Sequence, residues 1–354
     1  MYRKIETSQY RCIMGEKSYY FGHDYYYVQE RQYSYVIQEM LGTGAYGSVW
    51  KAMDTKTGKF YAMKILNERV YKEEDIWKLA EVKCLKSMRH PNIIRLHRVI
   101  LHETTLCLVF DLMDCDLLKL MNRRGRGLLE YEVRNICFQI LKGLAHLHKQ
   151  GYCHRDLKPE NLLAINGYMF KISDLGMVKK TLHESDKSLE WYVGTRSYRA
   201  PELLLGSTHY DSAIDMWAIG VIMTELLTGR ELFRMCCMAH QWHKICSVIG
   251  TPDSKTWPDG VKLANDSNYA LPKYFMEVDS TKQLSGLLPS ASGEAIDLIN
   301  SLLSWDPKKR PTAKAALQHP FFHSCYNISE LAEVCFRSKS FSKSCKYTLL
   351  FFRS

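Results

Sequence analysis

Nowhere in the 354 residues is there an apolar run long enough to cross a bilayer. The nearest approach, Ala213 to Thr228, carries Asp215 and Glu225. It falls short of the roughly 20 apolar positions that a span needs, so it reads as a buried helix. The start, Met1-Tyr2-Arg3-Lys4, leads into polar residues and tyrosines, so no secretory signal is visible. None of the twelve cysteines falls into CxxC or Cys/His finger spacing, which sets aside zinc fingers and dithiol redox motifs. They read as reduced packing thiols in an intracellular, cytoplasmic protein. There is no block of like charge. Lys and Arg number 48 against 38 Asp and Glu, and the net charge of +10 is spread along the chain. Such a balance suits ordinary solubility and an anionic small ligand as well as a basic stripe for nucleic acid, so charge alone decides nothing; no nucleic acid partner and no membrane insertion are expected. No internal repeat is present.

The length suffices for two cores plus extensions. Residues 1–33 carry tyrosines at 2, 10, 19, 20, 25, 26, 27 and 33 without a clean period, and read as an N-terminal extension. From Tyr35 the texture changes to short β-like runs at 36–41, 49–53 and 60–66, with a Thr57-Gly58 turn signal between the last two. A charged amphipathic helix is predicted near 73–88, then apolar runs at 93–100 and 106–112. Beyond residue 115 the period becomes helical. Val133, Ile136, Cys137, Ile140, Leu141, Leu144 and Leu147 recur at spacings of 3 and 4, ending before Gly151. Further helices are expected at 212–228, 238–249, 292–303 and 312–317. A small β-rich part therefore precedes a larger α-rich part, with the junction near Phe110 to Asp116. The fold class is α+β.

Several clusters carry chemistry. Leu41-Gly42-Thr43-Gly44-Ala45-Tyr46-Gly47-Ser48-Val49 contains the spacing GxGxxGxV, in which glycines let backbone N–H groups approach phosphates. A dinucleotide-binding turn would require a helix directly afterwards. Residues 49–53 continue as a strand instead, so the loop reads as a β-hairpin lid over nucleotide phosphates. Lys64 sits among apolar neighbours on a strand expected to be buried and needs a partner. Glu81 is the best placed glutamate on the following helix. The octet His154-Arg155-Asp156-Leu157-Lys158-Pro159-Glu160-Asn161 packs an acid, a cation and an amide between a helix and a short apolar run. Asp174-Leu175-Gly176 follows it. Lastly come Gly194-Thr195-Arg196-Ser197-Tyr198-Arg199-Ala200-Pro201-Glu202, Asp215-Met216-Trp217 and Lys309-Arg310-Pro311-Thr312.

From about Tyr35 to Phe322 these motifs resemble a eukaryotic protein kinase of the cyclin-dependent and MAP kinase group. Thr195-Arg196 with Tyr198 to Glu202, Ile249-Gly250-Thr251-Pro252, Trp257-Pro258, and Trp305-Asp306-Pro307 through Phe322 point to the male-germ-cell-associated and ciliogenesis-associated branch. The resemblance implies a two-lobe fold: a β-rich N-lobe at 34–112 with one main helix, an α-rich C-lobe at 116–322, and a short basic tail at 323–354. It implies ATP- and Mg2+-dependent transfer of a phosphoryl group to Ser or Thr hydroxyls of proteins, before proline. Asp156 would take the hydroxyl proton, Lys158 would neutralise the transferring phosphoryl, and Asn161 and Asp174 would bind magnesium. Lys64, held by Glu81, would contact the α- and β-phosphates. Phe110 would be the gatekeeper, Asp111 and Met113 the backbone contacts to adenine, and Asp116 a ribose neighbour. Leu163, Ala62 and Val49 would sandwich the adenine ring, and Leu85, Leu96, His154 and Leu175 would form an apolar column. Thr195 and Arg196 would shape the pocket for the proline. Glu202 and Arg310 would form a buried ion pair, and Asp215 would cap the catalytic loop. The opposing reading is a pseudokinase scaffold. A cyclin-like partner stays open, and a nuclear, ciliary or flagellar location rests on the resemblance alone.

The chain departs from that pattern at four places. Leu175 replaces the usual phenylalanine, which should be neutral for activity. Glu190-Trp191-Tyr192 stands where a Thr-x-Tyr pair is usual, Ala80 replaces an arginine, and Lys179 replaces another. Glu190, against Arg155 and Lys179, is therefore expected to do part of the work of a phosphothreonine. Tyr192 remains as a site for an upstream kinase.

Overall fold

The computed structural model describes residues 35–44, 46–102, 104–180, 189–190, 192–235, 237–267 and 278–326 with side chains, and the backbone of 11–14, 17–20, 26–30 and 33–34. The chain divides into an N-terminal unit, running to Arg89 and including Ile94–Met113, and a C-terminal unit of His90–Ile93 with Asp114 onward.

In the N-terminal unit β1 (Arg11–Met14) and β2 (Lys17–Tyr20) form a hairpin. The main sheet is antiparallel and six-stranded. It holds β3 (Tyr26–Glu30), β4 (Tyr33–Gly44), β5 (Gly47–Asp54), β6 (Phe60–Arg69), β7 (Leu96–His102) and β8 (Thr105–Asp111) in the order β3-β4-β5-β6-β8-β7. Residues 26–30, which the sequence reading left in an extension, thus add an edge strand. Tyr35, Ile37, Ala52, Tyr61, Met63, Ile100, Cys107 and Val109 form the core. Their alternation along the strands is the period-2 signature of a sheet with one buried face.

The single helix expected at 73–88 is two: α1 (Glu73–Ile76) and α2 (Ala80–Ser87), with Leu79 in extended backbone between them. The cause is burial. At about 100° per residue, Ile76 and Leu85 would point to opposite sides of one continuous helix. Both are buried, at 2% and 4% exposure, so the chain must re-orient between them.

The C-terminal unit is mainly helical: α3 (Leu117–Arg124), α4 (Glu130–Lys149), α5 (Pro201–Leu204), α6 (Ala213–Thr228), α7 (Met238–Ile249), α8 (Pro258–Asp266), α9 (Ser280–Leu287), α10 (Gly293–Leu302) and α11 (Ala313–Ala316). The stripe predicted on α4 is buried residue for residue, with Gly143 added. Helix α6 is buried on every side, as its all-round apolar character requires. Trp242, Trp257 and Trp305 stack beside it, with Trp242 and Trp305 5.4 Å apart and nearly parallel. Short strands carry the loops of interest. They are β9 (Cys115–Asp116), β10 (Tyr152–Cys153), β11 (Leu162–Ile165), β12 (Met169–Ile172) and β13 (Lys179–Lys180). No helix among the described residues is long and apolar enough to cross a membrane. Burial pushes the Cys84, Cys107 and Cys137 thiols up to about 12, which fits packing rather than reactive cysteines.

Candidate active site

Two groups of side chains lie in separate units. In the N-terminal unit the β4–β5 hairpin places Gly42 opposite Val49, and Val49 opposite Lys64 on β6. The backbone at Gly42 and Gly44 is open, with nothing within 4 Å of where a Cβ would stand. Gly47 is the reverse case. A Cβ there would meet the Ile65 carbonyl oxygen at 2.2 Å, so only glycine lets β5 lie this close to β6. Ala45 lies outside the described residues, and Tyr46 is exposed. The Lys64 Nζ donates to Glu81 Oε1 at 2.8 Å, with both side chains about 10% exposed. A buried cation at this position is tolerable only with such a partner. Phe110 pairs across the sheet with Ala62 and Leu96, and Asp111 Oδ1 bonds His97 Nε2 at 2.6 Å. Met113 is half-buried and closes this unit.

In the C-terminal unit the octet begins after β10. Buried Asp215 braces it, taking hydrogen bonds from the backbone N–H of His154 (2.9 Å) and Arg155 (3.0 Å) and bonding His148 Nε2 at 2.8 Å. Burial pushes the Asp215 carboxyl upward, but the His148 bond and the His154 contacts outweigh it and hold the group below its ordinary range. These bonds let Arg155 keep a left-handed φ of 70°, uncommon for a side chain of its size. His154 accepts from the Asp156 N–H at Nδ1, so its Nε2 carries the proton and donates to the Ser173 carbonyl at 2.9 Å.

Asp156 is held on both oxygens. Its Oδ1 accepts from the Thr195 N–H (2.7 Å) and hydroxyl (2.8 Å). Its Oδ2 faces Lys158 Nζ at 3.0 Å and Asn161 Nδ2 at 3.2 Å. Lys158 also donates to the Thr195 hydroxyl at 2.9 Å, closing a ring of acid, cation and hydroxyl. The β11–β12 hairpin pairs Leu162 with Ile172, and the Ser173 N–H continues that register onto the Asn161 carbonyl at 2.9 Å. Asp174 is therefore delivered to the same end of the hairpin as Asn161. Its carboxylate is exposed on left-handed backbone, φ 53°. Asn161 spends its amide N–H groups on Asp156, which leaves the amide oxygen as its group able to ligate a metal. Two hard oxygen donors suit Mg2+, which keeps waters and takes phosphate oxygens for the rest of its shell. Leu163 pairs with Asp116 on β9. The Asp116 carboxylate caps α3 through the Lys119 N–H at 2.7 Å, a local task the sequence reading did not assign to it.

Downstream, the guanidinium on the 193–194 backbone is that of Arg199 and not of Arg196. Arg199 Nε donates to the Val193 carbonyl and Nη2 to the Gly194 carbonyl, both at 2.8 Å. Arg196 is exposed, its own carbonyl held by buried Gln241 at 2.7 Å. Gly194 has φ 71°, and a Cβ there would lie 2.4 Å from the Arg155 carbonyl. Tyr192 is 64% exposed with its ring 4.5 Å from the Arg199 guanidinium. Hydrogen bonding to Arg196, with the charge of Arg199, lowers its phenol from the usual range.

The expected ion pair of Glu190 does not form. No salt bridge joins its exposed carboxylate to Arg155 or Lys179. Arg155 instead donates to the Met177 carbonyl (2.6 Å) and to the Tyr210 hydroxyl (3.0 Å). The expected Glu202–Arg310 pair is present, bidentate at 2.7 and 2.8 Å.

Tyr198 and Glu225 form a second buried pair, 2.7 Å apart, to which sequence reasoning assigned no role. Burial raises the Glu225 carboxyl to about 7 against the opposing Tyr198 bond, with Glu231 and Glu160 adding repulsion. A folded-state value above the unfolded one means stability present at low pH and lost as pH rises from about 4.5 to about 7. Glu225→Gln should flatten the fall in melting temperature across that window. An unchanged pH profile would contradict the assignment.

The family model described as a protein kinase domain matches residues 35–322. The chain is 46% identical over 285 residues to "Cyclin-dependent kinase F-4" of Oryza sativa subsp. japonica, covering 80% of this chain and 60% of that protein. It is 43% identical over 288 residues to "Serine/threonine-protein kinase MAK" of Mus musculus and to "Serine/threonine-protein kinase ICK" of Rattus norvegicus. These alignments cover 81% of this chain and 45% of each relative, so the chain spans about half the length of the curated relatives it matches. With the two-lobe architecture and the loop geometry, this match over most of the chain places it in the protein kinase family, within the group of the cyclin-dependent and MAP kinases.

Proposed function

We propose that the chain is an ATP- and Mg2+-dependent protein kinase that phosphorylates Ser or Thr followed by proline. The observation that carries the reading is the ring of Asp156, Lys158 and Thr195 beside the Asn161–Asp174 end of the hairpin. Magnesium, when bound, would neutralise phosphate charge at Asn161 and Asp174. Asp156, its carboxylate oriented by four hydrogen-bond donors, would accept the proton of an incoming hydroxyl. Lys158, already against Asp156, is the cation to meet the transferring phosphoryl. The open backbone at Gly42 and Gly44 and the Lys64–Glu81 pair are the groups of the N-terminal unit suited to a triphosphate.

Proline direction is supported by Gly194 and Arg199. The Gly194 carbonyl is taken by Arg199, so it is not free to accept an N–H from the residue after the phosphorylated hydroxyl. Any residue but proline would leave that N–H unpaired, a cost of about 1–3 kcal/mol. Exposed Tyr192 is suited to modification by an upstream kinase.

A phosphotransfer assay with paired Ser-Pro and Ser-Ala peptides tests the reading. The expected preference for Ser-Pro is about tenfold or more in kcat/KM. Equal use of both peptides rejects proline direction. ATP binding without transfer by the unmodified chain would favour a scaffold instead. Activity of the isolated chain would show that a cyclin-like partner is dispensable.

A further inference from the structure

Among the described residues no carboxylate pairs with the Arg155 guanidinium, and its hydrogen bonds point to a residue outside the motifs. Arg155 Nη1 donates to the Tyr210 hydroxyl at 3.0 Å. That hydroxyl donates in turn to the backbone carbonyl of Glu190 at 2.7 Å. The neighbouring Leu189 N–H donates to the Thr208 carbonyl at 2.8 Å, and Leu189 is buried at 9% exposure. The 189–190 stretch is thus fastened to 208–210 by two hydrogen bonds, and 208–210 is fastened to the catalytic loop through Arg155. Arg155 is itself tied to Met177 by Nε and, through its backbone, to Asp215. Burial of Tyr210 raises its phenol against the lowering bond from Arg155, so the hydroxyl keeps the proton it donates to Glu190.

We propose that Tyr210 is a positioning residue. Its hydroxyl links Arg155 to the Glu190 backbone and holds the 189–190 stretch in place without using the Glu190 carboxylate. The inference rests on the kinase reading above. It also replaces the expected role of Glu190: the contact is made by the carbonyl, which every residue has, and the carboxylate points to solvent. The side chain at 190 is then free to vary, whereas the hydroxyl at 210 is not.

The test compares wild type, Tyr210→Phe, Glu190→Ala and Asp156→Asn as full chains, with a Ser-Pro peptide. Tyr210→Phe keeps the ring and removes only the hydroxyl. Its kcat should fall about tenfold, the loss of one hydrogen bond to a charged group, with the KM for ATP unchanged. Hydrogen exchange at the Leu189 amide should quicken in the same variant. Arg155→Lys combined with Tyr210→Phe should be no worse than the poorer single variant, because both cut one chain of contacts. Glu190→Ala should retain wild-type kcat. A kcat for Tyr210→Phe within twofold of wild type overturns the proposal, as does a loss of kcat with unchanged exchange at Leu189. A loss in Glu190→Ala as large as in Tyr210→Phe also overturns it, by restoring the carboxylate role. If wild type is no more active than Asp156→Asn, the kinase reading fails first, and the exchange comparison alone decides the tether.

Discussion

Asp156→Asn should lower kcat by about 10³, while ATP affinity stays within about threefold. The geometry explains why an isosteric change does so much. Every group around the Asp156 carboxylate is a donor: the Thr195 N–H and hydroxyl on Oδ1, Lys158 and Asn161 on Oδ2. An amide brings its own NH2, and either flip sets that NH2 against donors. With the Nδ2 toward Lys158, a cation faces an amino group. Turned the other way, it faces the Thr195 N–H. The variant therefore loses the proton acceptor and also loosens Thr195, so the KM for peptide should rise together with the fall in kcat. Steady-state kinetics with separate titration of ATP and peptide checks both. An Asp156→Asn protein with more than a tenth of wild-type kcat would remove Asp156 from the chemistry.

The largest stability effect should come from Arg310→Ala. All five N–H donors of this guanidinium are used: two on Glu202, and one each on the carbonyls of Ser304, Ala213 and Trp305. The Arg310 side chain is fully buried and that of Glu202 is 5% exposed. Removing the cation leaves a buried carboxylate uncompensated and three carbonyls each short of one donor, a loss of about 3–5 kcal/mol. For a unit of this size the melting temperature should fall on the order of 10 °C. Arg310→Lys should lose most of this as well, since an ammonium cannot reproduce the planar fork. The double variant Glu202→Leu with Arg310→Met should recover a large part, because it removes the uncompensated charge along with the pair. Tryptophan fluorescence is a direct readout, with Trp217 5.2 Å below the Arg310 guanidinium and the Trp242–Trp305 stack beside it. A melting temperature within 2–3 °C of wild type for Arg310→Ala would show that the pair is not structurally needed.

The architecture was largely legible because its signals are local. The stripe on 133–147, the alternation of the strands and the all-round apolar helix at 213–228 each follow from residues within a few turns of one another. The single helix drawn through 73–88 failed for the same reason. Amphipathic period is judged over a short window, and nothing within that window says that Ile76 and Leu85 are both to be buried. Within the motifs the chemical types were legible, and Lys64–Glu81 and Glu202–Arg310 pair as expected. Partner choice among similar residues was not. Arg196 and Arg199 are both arginines three positions apart, and only the turn at 196–198 decides which reaches the Val193 and Gly194 carbonyls. Asp116 also caps α3 through the Lys119 N–H, a local role that depends on its place just before that helix.

By itself the sequence determined the fold class, a β-rich part before an α-rich part, and the identities of the reactive groups in the octet and its flanking motifs. Those depend on residue type and short spacing. Tertiary structure alone decided where Arg155 sends its guanidinium, which carbonyls Arg199 occupies, and that Glu190 contributes its backbone rather than its charge. Arg155 and Tyr210 are 55 positions apart, and Tyr210 and Glu190 are 20. A hydrogen bond depends on a few tenths of an ångström and on direction, and neither is encoded until the chain between the partners has taken its path.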